Sequence, residues 1–131
     1  MKRDRILNTN LISEIAAIGH TQYLVIGDAG LPIPKGVNVI DLSLTKGIPG
    51  FMQVLEAVNE ELVSESYILA DEIKEGNGDL EDRVHGLLKE QPVSYVPHEE
   101  FKKMTEEARV IIRTGETSSF ANIILVAGVN F

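Results

Sequence analysis

The residues of this chain able to do chemistry are three histidines, an aspartate at the end of an apolar run, and a lysine and an asparagine further along. His20 and His98 fall at element boundaries, where side chains reach pockets. Asp28 stands where a buried run ends, Lys102 follows His98 closely, and Asn122 sits beside the aromatic Phe120. Carboxylate and amide groups hold hydroxyls, and an aromatic ring covers the C–H face of a sugar. An imidazole titrating near neutrality then passes protons. The set therefore suits a hydroxyl-rich ligand and acid–base work without a cofactor. Each residue also has a plainer reading. A histidine can cap a helix end, and an aspartate after a strand often only makes a turn. His85, next to Gly86 in a helical pattern, reads as a solvated or partly buried surface residue, and Asp71 and Glu72 as loop charges.

Other chemistries find no support. His98-Glu99-Glu100-Phe101-Lys102 has a lysine where a zinc-protease helix needs its second histidine. Gly27 and Gly30 lack the third glycine and the helix of a dinucleotide fingerprint. There is no Walker motif, and no serine in a G-x-S-x-G context. The absence of cysteine excludes disulfides, thiolate catalysis and cysteine-built metal sites.

Alternating strands and helices must position these groups. Asn8 or Asn10 can cap a helix with Leu11, Ile12, Ile15 and Ile18 on one face and Gly19 as its stop. Residues 23–27 form a short apolar run, as in an inner strand covered on both faces. Gly30, Pro32 and Pro34 stiffen the loop after Asp28. His20 and Asp28 thus sit at opposite ends of one strand, roughly 25 Å apart if extended. They share a pocket only through a sharp fold or through a second subunit. Further strands are expected at residues 37–41, 67–70, 93–96, 110–112 and 120–126. Phe51, Val54, Leu55, Val58 and Leu62 recur at helical spacing, and helices are also expected after Gly78 and over residues 99–107. The polar residues 113–119 are too many for a tight hairpin. The pattern predicts a single domain over residues 1–131, a layered α/β/α fold with a largely parallel, mixed sheet.

Composition narrows the partners. Twenty acidic against 12 basic side chains give a formal charge of −8, which argues against nucleic acid or an anionic membrane. No signal-peptide core or transmembrane run is present, so a cytoplasmic protein is expected.

Four blocks in order resemble the D-ribose pyranase and fucose mutarotase family, the ribose branch more than the fucose branch. They are I-L-N at residues 6–8, G-H-T with the later D-A-G-L-P-I-P, I-D-L-S-L at residues 40–44, and P-H-E-E-F followed by I-R-T-G-E and A-N-I-I-L. Together they run from residue 6 to residue 125. The resemblance implies a cytoplasmic isomerase that interconverts the pyranose and furanose forms of D-ribose, with neither metal nor organic cofactor. It implies that His20 donates a proton and that Asp28 and His98 bind sugar. Phe120, Ala121 and Asn122 occupy the family's sugar-binding tyrosine-alanine-asparagine block, and Lys102 is a further member of the site. It also implies rings of many subunits, commonly homodecamers, with sites between neighbours. One departure is Phe120 itself: the missing phenolic hydroxyl removes a hydrogen bond worth about 0.5–1.5 kcal/mol.

Three rivals stand beside this reading. One is a non-catalytic sugar-binding or regulatory ring, and another a mutarotase for a different sugar such as fucose. The third, a metal-assisted isomerase or lyase using His20, His98 and Asp28, is disfavoured because these residues lack clustered ligand spacing.

Overall fold

A computed structural model describes all residues, 1–131. Helix α1 (Thr9–Ala17) opens where the Asn8 side chain accepts the Leu11 N–H at 2.9 Å, and Leu11 and Ile15 form its buried face. Strand β1 (Tyr23–Gly27) follows, then β2 (Asn38–Asp41) and α2 (Phe51–Glu61). Next come β3 (Ser64–Ala70), the short α3 (Ile73–Gly76) and α4 (Gly78–Leu87). Strand β4 (Val93–Val96), α5 (His98–Met104) with a 3-10 turn over Thr105–Glu107, β5 (Val110–Arg113) and β6 (Ile123–Ala127) complete the chain.

The six strands form one sheet in the order β2-β5-β1-β6-β3-β4. Strand β1 is parallel to β5, β5 to β2, and β3 to β4, whereas β6 is antiparallel to both β1 and β3. Five strands therefore point the same way, and β6 alone returns between them. This is the largely parallel, mixed sheet expected, with its antiparallel member at the centre. The carboxyl ends of β1 to β5 and the start of β6 all meet at one edge.

Side chains alternate across the strands with period two. Leu24, Ile26, Leu69, Ile112 and Ile123 enter a core of 24 buried residues, to which α1, α2 and α4 contribute. Val25, Ile68, Ile111 and Ile124 enter a second of only six, closed by Phe101 of α5 and by Leu31. Both faces are covered, giving the expected α/β/α layering, but unequally.

Three boundaries differ from the sequence pattern. Strand β3 begins at Ser64, three residues before the apolar run, because β6 pairs with its polar start. Helix α3 is a single turn, too short to show a period. Residues 120–122 lie outside β6: Phe120 takes a φ of +55°, which no extended strand tolerates.

The polar segment after β5 ties the loops together. Thr114, fully buried, donates its hydroxyl to the Gly27 carbonyl at 2.8 Å, and Ala29 N–H donates to the Glu116 carbonyl at 2.9 Å. The Glu116 carboxylate accepts the Phe51 N–H at 3.0 Å, capping α2, and the Ser118 N–H and hydroxyl. Burial pushes the Glu116 pKa up, but these hydrogen bonds outweigh it and hold the group below its ordinary value of 4.5. A carboxyl group lowered in the folded state stabilises the fold above its unfolded value, and that contribution disappears as pH falls through the folded one. Stability measured by urea melts should accordingly decline below about pH 4.5. Glu116→Ala should lose about 1 kcal/mol at neutral pH and show a shallower acid decline.

Candidate functional site

At the edge where β1 to β5 end, three loops converge on a cavity of about 270 Å³ lined by Asp28, Gly30, Leu31, Pro32, His98, Ser119 and Phe120. Asp28 follows β1, His98 follows β4, and Phe120 precedes β6. Ligand sites in open α/β sheets collect beyond such strand ends.

Asp28 is held by its neighbours. Its backbone N–H donates to Asn122 Oδ1 at 2.9 Å, and Asn122 Nδ2 donates back to Asp28 Oδ2 at 3.0 Å. The other carboxylate oxygen accepts the Gly30 N–H at 2.9 Å. Asn122 is fully buried, so its amide acts on the cavity through Asp28. Ala121 is also fully buried, its methyl group part of the larger core.

His98 opens α5, and its backbone N–H donates to both Glu72 carboxylate oxygens at 3.0 and 3.1 Å. The imidazole lies nearly parallel to the Phe101 ring, with centroids 6.4 Å apart. It meets the Phe120 ring edge-on at 5.3 Å. His98 Nδ1 is buried and has no partner within the chain. A buried, unpaired polar atom is costly. The Phe120 ring is seated against Gly76, where an added Cβ would come within 2.8 Å of it.

Lys102 pairs with Glu99 at 2.8 Å and does not line this cavity. His20 lies elsewhere. It precedes β1, at the opposite end of the sheet, where Nε2 meets Glu65 Oε2 at 2.8 Å and the ring borders a separate cavity. One chain thus assembles Asp28, His98, Phe120 and Asn122, and keeps His20 apart from them.

The third histidine has an occupation that the helical pattern hid. Tyr67, His85, Tyr95 and Glu81 form a hydrogen-bonded chain, with steps of 2.6, 2.8 and 2.5 Å. Tyr95 donates to Glu81, so its oxygen takes the His85 Nε2–H, and Nδ1 is left to accept from Tyr67. Burial, and then the Glu81 charge, raise the pKa of both phenols. The chain fastens α4 to β3 and the edge strand β4. It was missed because its members lie far apart in sequence.

Strand-end loops, a braced carboxylate, an unpaired imidazole nitrogen and an aromatic wall define a small-molecule protein of the mixed α/β type. Residues 1–130 match the model of the RbsD / FucU transport protein family, and the chain belongs to that family. It is 50% identical to the D-ribose pyranase of Geobacillus thermodenitrificans (strain NG80-2) over 131 residues, covering 100% of this chain and 99% of that protein. It is 46% identical to the D-ribose pyranase of Escherichia coli O127:H6 over the full length of both. The structure of Bacillus subtilis RbsD complexed with D-ribose superposes with a TM-score of 0.97 at 46% identity, covering 100% of each chain. FucU from Bifidobacterium longum, at 24% identity and a TM-score of 0.81, covers 95% of this chain and 97% of its own and shares the fold.

The Asp28 brace yields a stability prediction. Asn122→Ala strands the Asp28 N–H and should cost about 1–3 kcal/mol in denaturant melts. Asn122→Asp should cost at least as much at neutral pH, by setting a second carboxylate against the first.

Proposed function

We propose that this chain is a D-ribose pyranase, opening and reclosing the sugar hemiacetal to interconvert the pyranose and furanose forms. One observation carries the reading. Asp28, His98 and Phe120 converge on one cavity, braced by Asn122, in a chain 46% identical along its whole length to a ribose-complexed relative. At about 270 Å³ the cavity lies near the lower end of ligand pockets, as suits a monosaccharide.

The chemistry needs a proton placed and a proton removed. Protonated His20 donates to the ring oxygen as the C1–O bond breaks. His98, or a water held by Asp28, takes the proton of the anomeric hydroxyl. Rotation in the open aldehyde brings the 4-hydroxyl to C1. As the five-membered ring closes, the now neutral His20 takes the proton of the 4-hydroxyl, and the group that took the anomeric proton returns it to the aldehyde oxygen. No carbon–hydrogen bond breaks, so the step needs no hydride carrier. Phe120 covers a C–H face of the sugar and the carboxylate of Asp28 takes its hydroxyls, while Lys102 and Ala121 stand outside the lining of the single-chain cavity.

Because one chain keeps His20 at the far edge, the working site uses His20 from a neighbouring copy. A ring, a homodecamer acting in the cytoplasm, is the assembly this reading proposes. No helix of this chain is long and apolar enough to cross a membrane.

A non-catalytic sugar-binding ring is the second reading, and Phe120 favours it because the family tyrosine hydroxyl is missing there. Saturation-transfer NMR on D-ribose separates the two. Exchange between ring forms should quicken with the protein present, and His20→Ala and His98→Ala should each lose about 10²–10⁴-fold of the acceleration. Calorimetric binding of ribose with exchange no faster than in buffer would establish the binding ring instead.

A further inference from the structure

We propose that Gly76, the last residue of α3, is a positioning residue for the sugar cavity: having no side chain, it lets the Phe120 ring stand back and so sets the width of the space a sugar enters. The proposal rests on the pyranase reading for its substrate, and it names what places the aromatic wall.

Glycine at this position answers to space and not to backbone shape. The glycines with positive φ are Gly36 and Gly47, so the backbone of Gly76 is one that alanine can adopt. Alanine also suits a helix better than glycine does. Beyond its own helix and chain neighbours, an added Cβ would meet the Phe120 ring alone, Cδ2 at 2.8 Å and Cε2 at 2.9 Å. Ordinary carbon–carbon contact lies at about 3.5–4.0 Å, so one of the two groups would have to retreat by roughly 1 Å.

Helix α3 is not free to do so. Its Ile73 is completely buried in the larger core. The Gly76 N–H donates to the Glu72 carbonyl at 2.9 Å, and the Asn77 N–H to the Ile73 carbonyl at 2.8 Å. The Glu72 carboxylate, at the start of the same turn, holds the His98 N–H.

The backbone around Phe120 is tied as well. Asn77 stands at the N-cap of α4, yet its side chain makes no cap hydrogen bond. It crosses instead to the segment before Phe120, donating to Ser118 Oγ at 3.0 Å and to the Ser119 carbonyl at 2.9 Å. On the other side the Asn122 N–H donates to the Phe120 carbonyl at 2.9 Å. These ties over-determine a residue whose φ is +55°. With both backbones fixed, the ring is what yields, by turning about its own side-chain bonds.

The direction of that movement follows from what the ring separates. Phe120 lines the cavity of Asp28 and His98, and it also lines a second of about 520 Å³ with Glu72, Gly76 and Pro97. Gly76 borders only the second. A methyl group on that side drives the ring towards the first, where His98 already meets it edge-on at 5.3 Å. In a cavity of about 270 Å³ the displaced ring takes room that a sugar needs. One turn of helix thus places two walls of the cavity, His98 through Glu72 and Phe120 through Gly76.

The test uses the intact protein with Gly76→Ala, Phe120→Ala and the double variant. Gly76→Ala should raise the calorimetric Kd for D-ribose and the KM for ring exchange about tenfold, with kcat within about threefold. Its thermal midpoint should stay at or above that of wild type, which separates a moved wall from a damaged fold. In the Phe120→Ala background no ring is left to push, and Gly76→Ala should change ribose affinity by less than about twofold. A crystal structure of Gly76→Ala should show the ring shifted towards His98 with α3 in place. Unchanged ribose affinity in Gly76→Ala, an equal loss in both backgrounds, or a displaced α3 beside an unmoved ring overturns the role of Gly76. Where Phe120→Ala binds ribose too weakly for the comparison, the crystal structure decides between ring and helix. Failure of wild type to accelerate exchange overturns the pyranase reading instead, and the crystal structure still reports on the seat of the ring.

Discussion

The reciprocal pair between Asp28 and Asn122 joins the end of the first strand to the start of the last. Each residue gives the other one hydrogen bond, so the backbone N–H, the amide and the carboxylate are satisfied together. The pairing is possible only because β6 runs against its two neighbours. A parallel strand in its place would bring the opposite terminus to this edge, and residues 120–122 would lie at the other end of the sheet. The direction of one strand thus decides whether Phe120 and Asn122 belong to the cavity. Once Asn122 is buried there, leaving its amide unpaired would cost more than the pairing gains, which makes the arrangement specific as well as stable.

The same rigidity keeps the acid–base groups apart. Strand β1 is hydrogen-bonded on both sides, and Leu24, Val25 and Ile26 are completely buried between the two cores. Nothing at its ends can approach by bending it without losing those cores. His20 before the strand and Asp28 after it are therefore held at a fixed separation. In the proposed mechanism, association supplies what folding of one chain withholds, because a second copy offers its His20 edge to the Asp28 edge of the first. The unequal cores fit this division of labour: one face is finished by three helices, whereas the other is closed by a short helix and a loop.

Much of this was legible in the sequence, for definable reasons. The inner strand at residues 23–27 showed as an unbroken apolar run because both its faces are buried, and α2 showed through its helical spacing. The separation of His20 from Asp28 followed from strand rise alone. What stayed hidden depends on contacts between distant residues. The left-handed turn at Phe120 answers to Gly76, so an aromatic residue before an apolar run looked like more strand. The buried hydroxyl of Thr114 and the capping carboxylate of Glu116 read only as a polar loop.

Three non-glycine residues have positive φ: Arg5, Thr21 and Phe120. Two of the three adjoin or belong to the proposed sugar machinery, Thr21 next to His20 and Phe120 in the cavity wall. Propensity would place a β-branched residue and a phenylalanine almost anywhere else in backbone space. Sequences that fold well are consistent from local preference to tertiary packing, and departures from that consistency concentrate where function requires a geometry that folding alone would not choose. In this chain the departures stand at opposite edges of the sheet, linked by β6, whose first residues turn at Phe120 and whose last residues anchor Thr21. The physical logic is that of one strand presenting half a site at each end. Strain at either end is held by the ladder in the middle, where Ile123, Ile124 and Leu125 are buried.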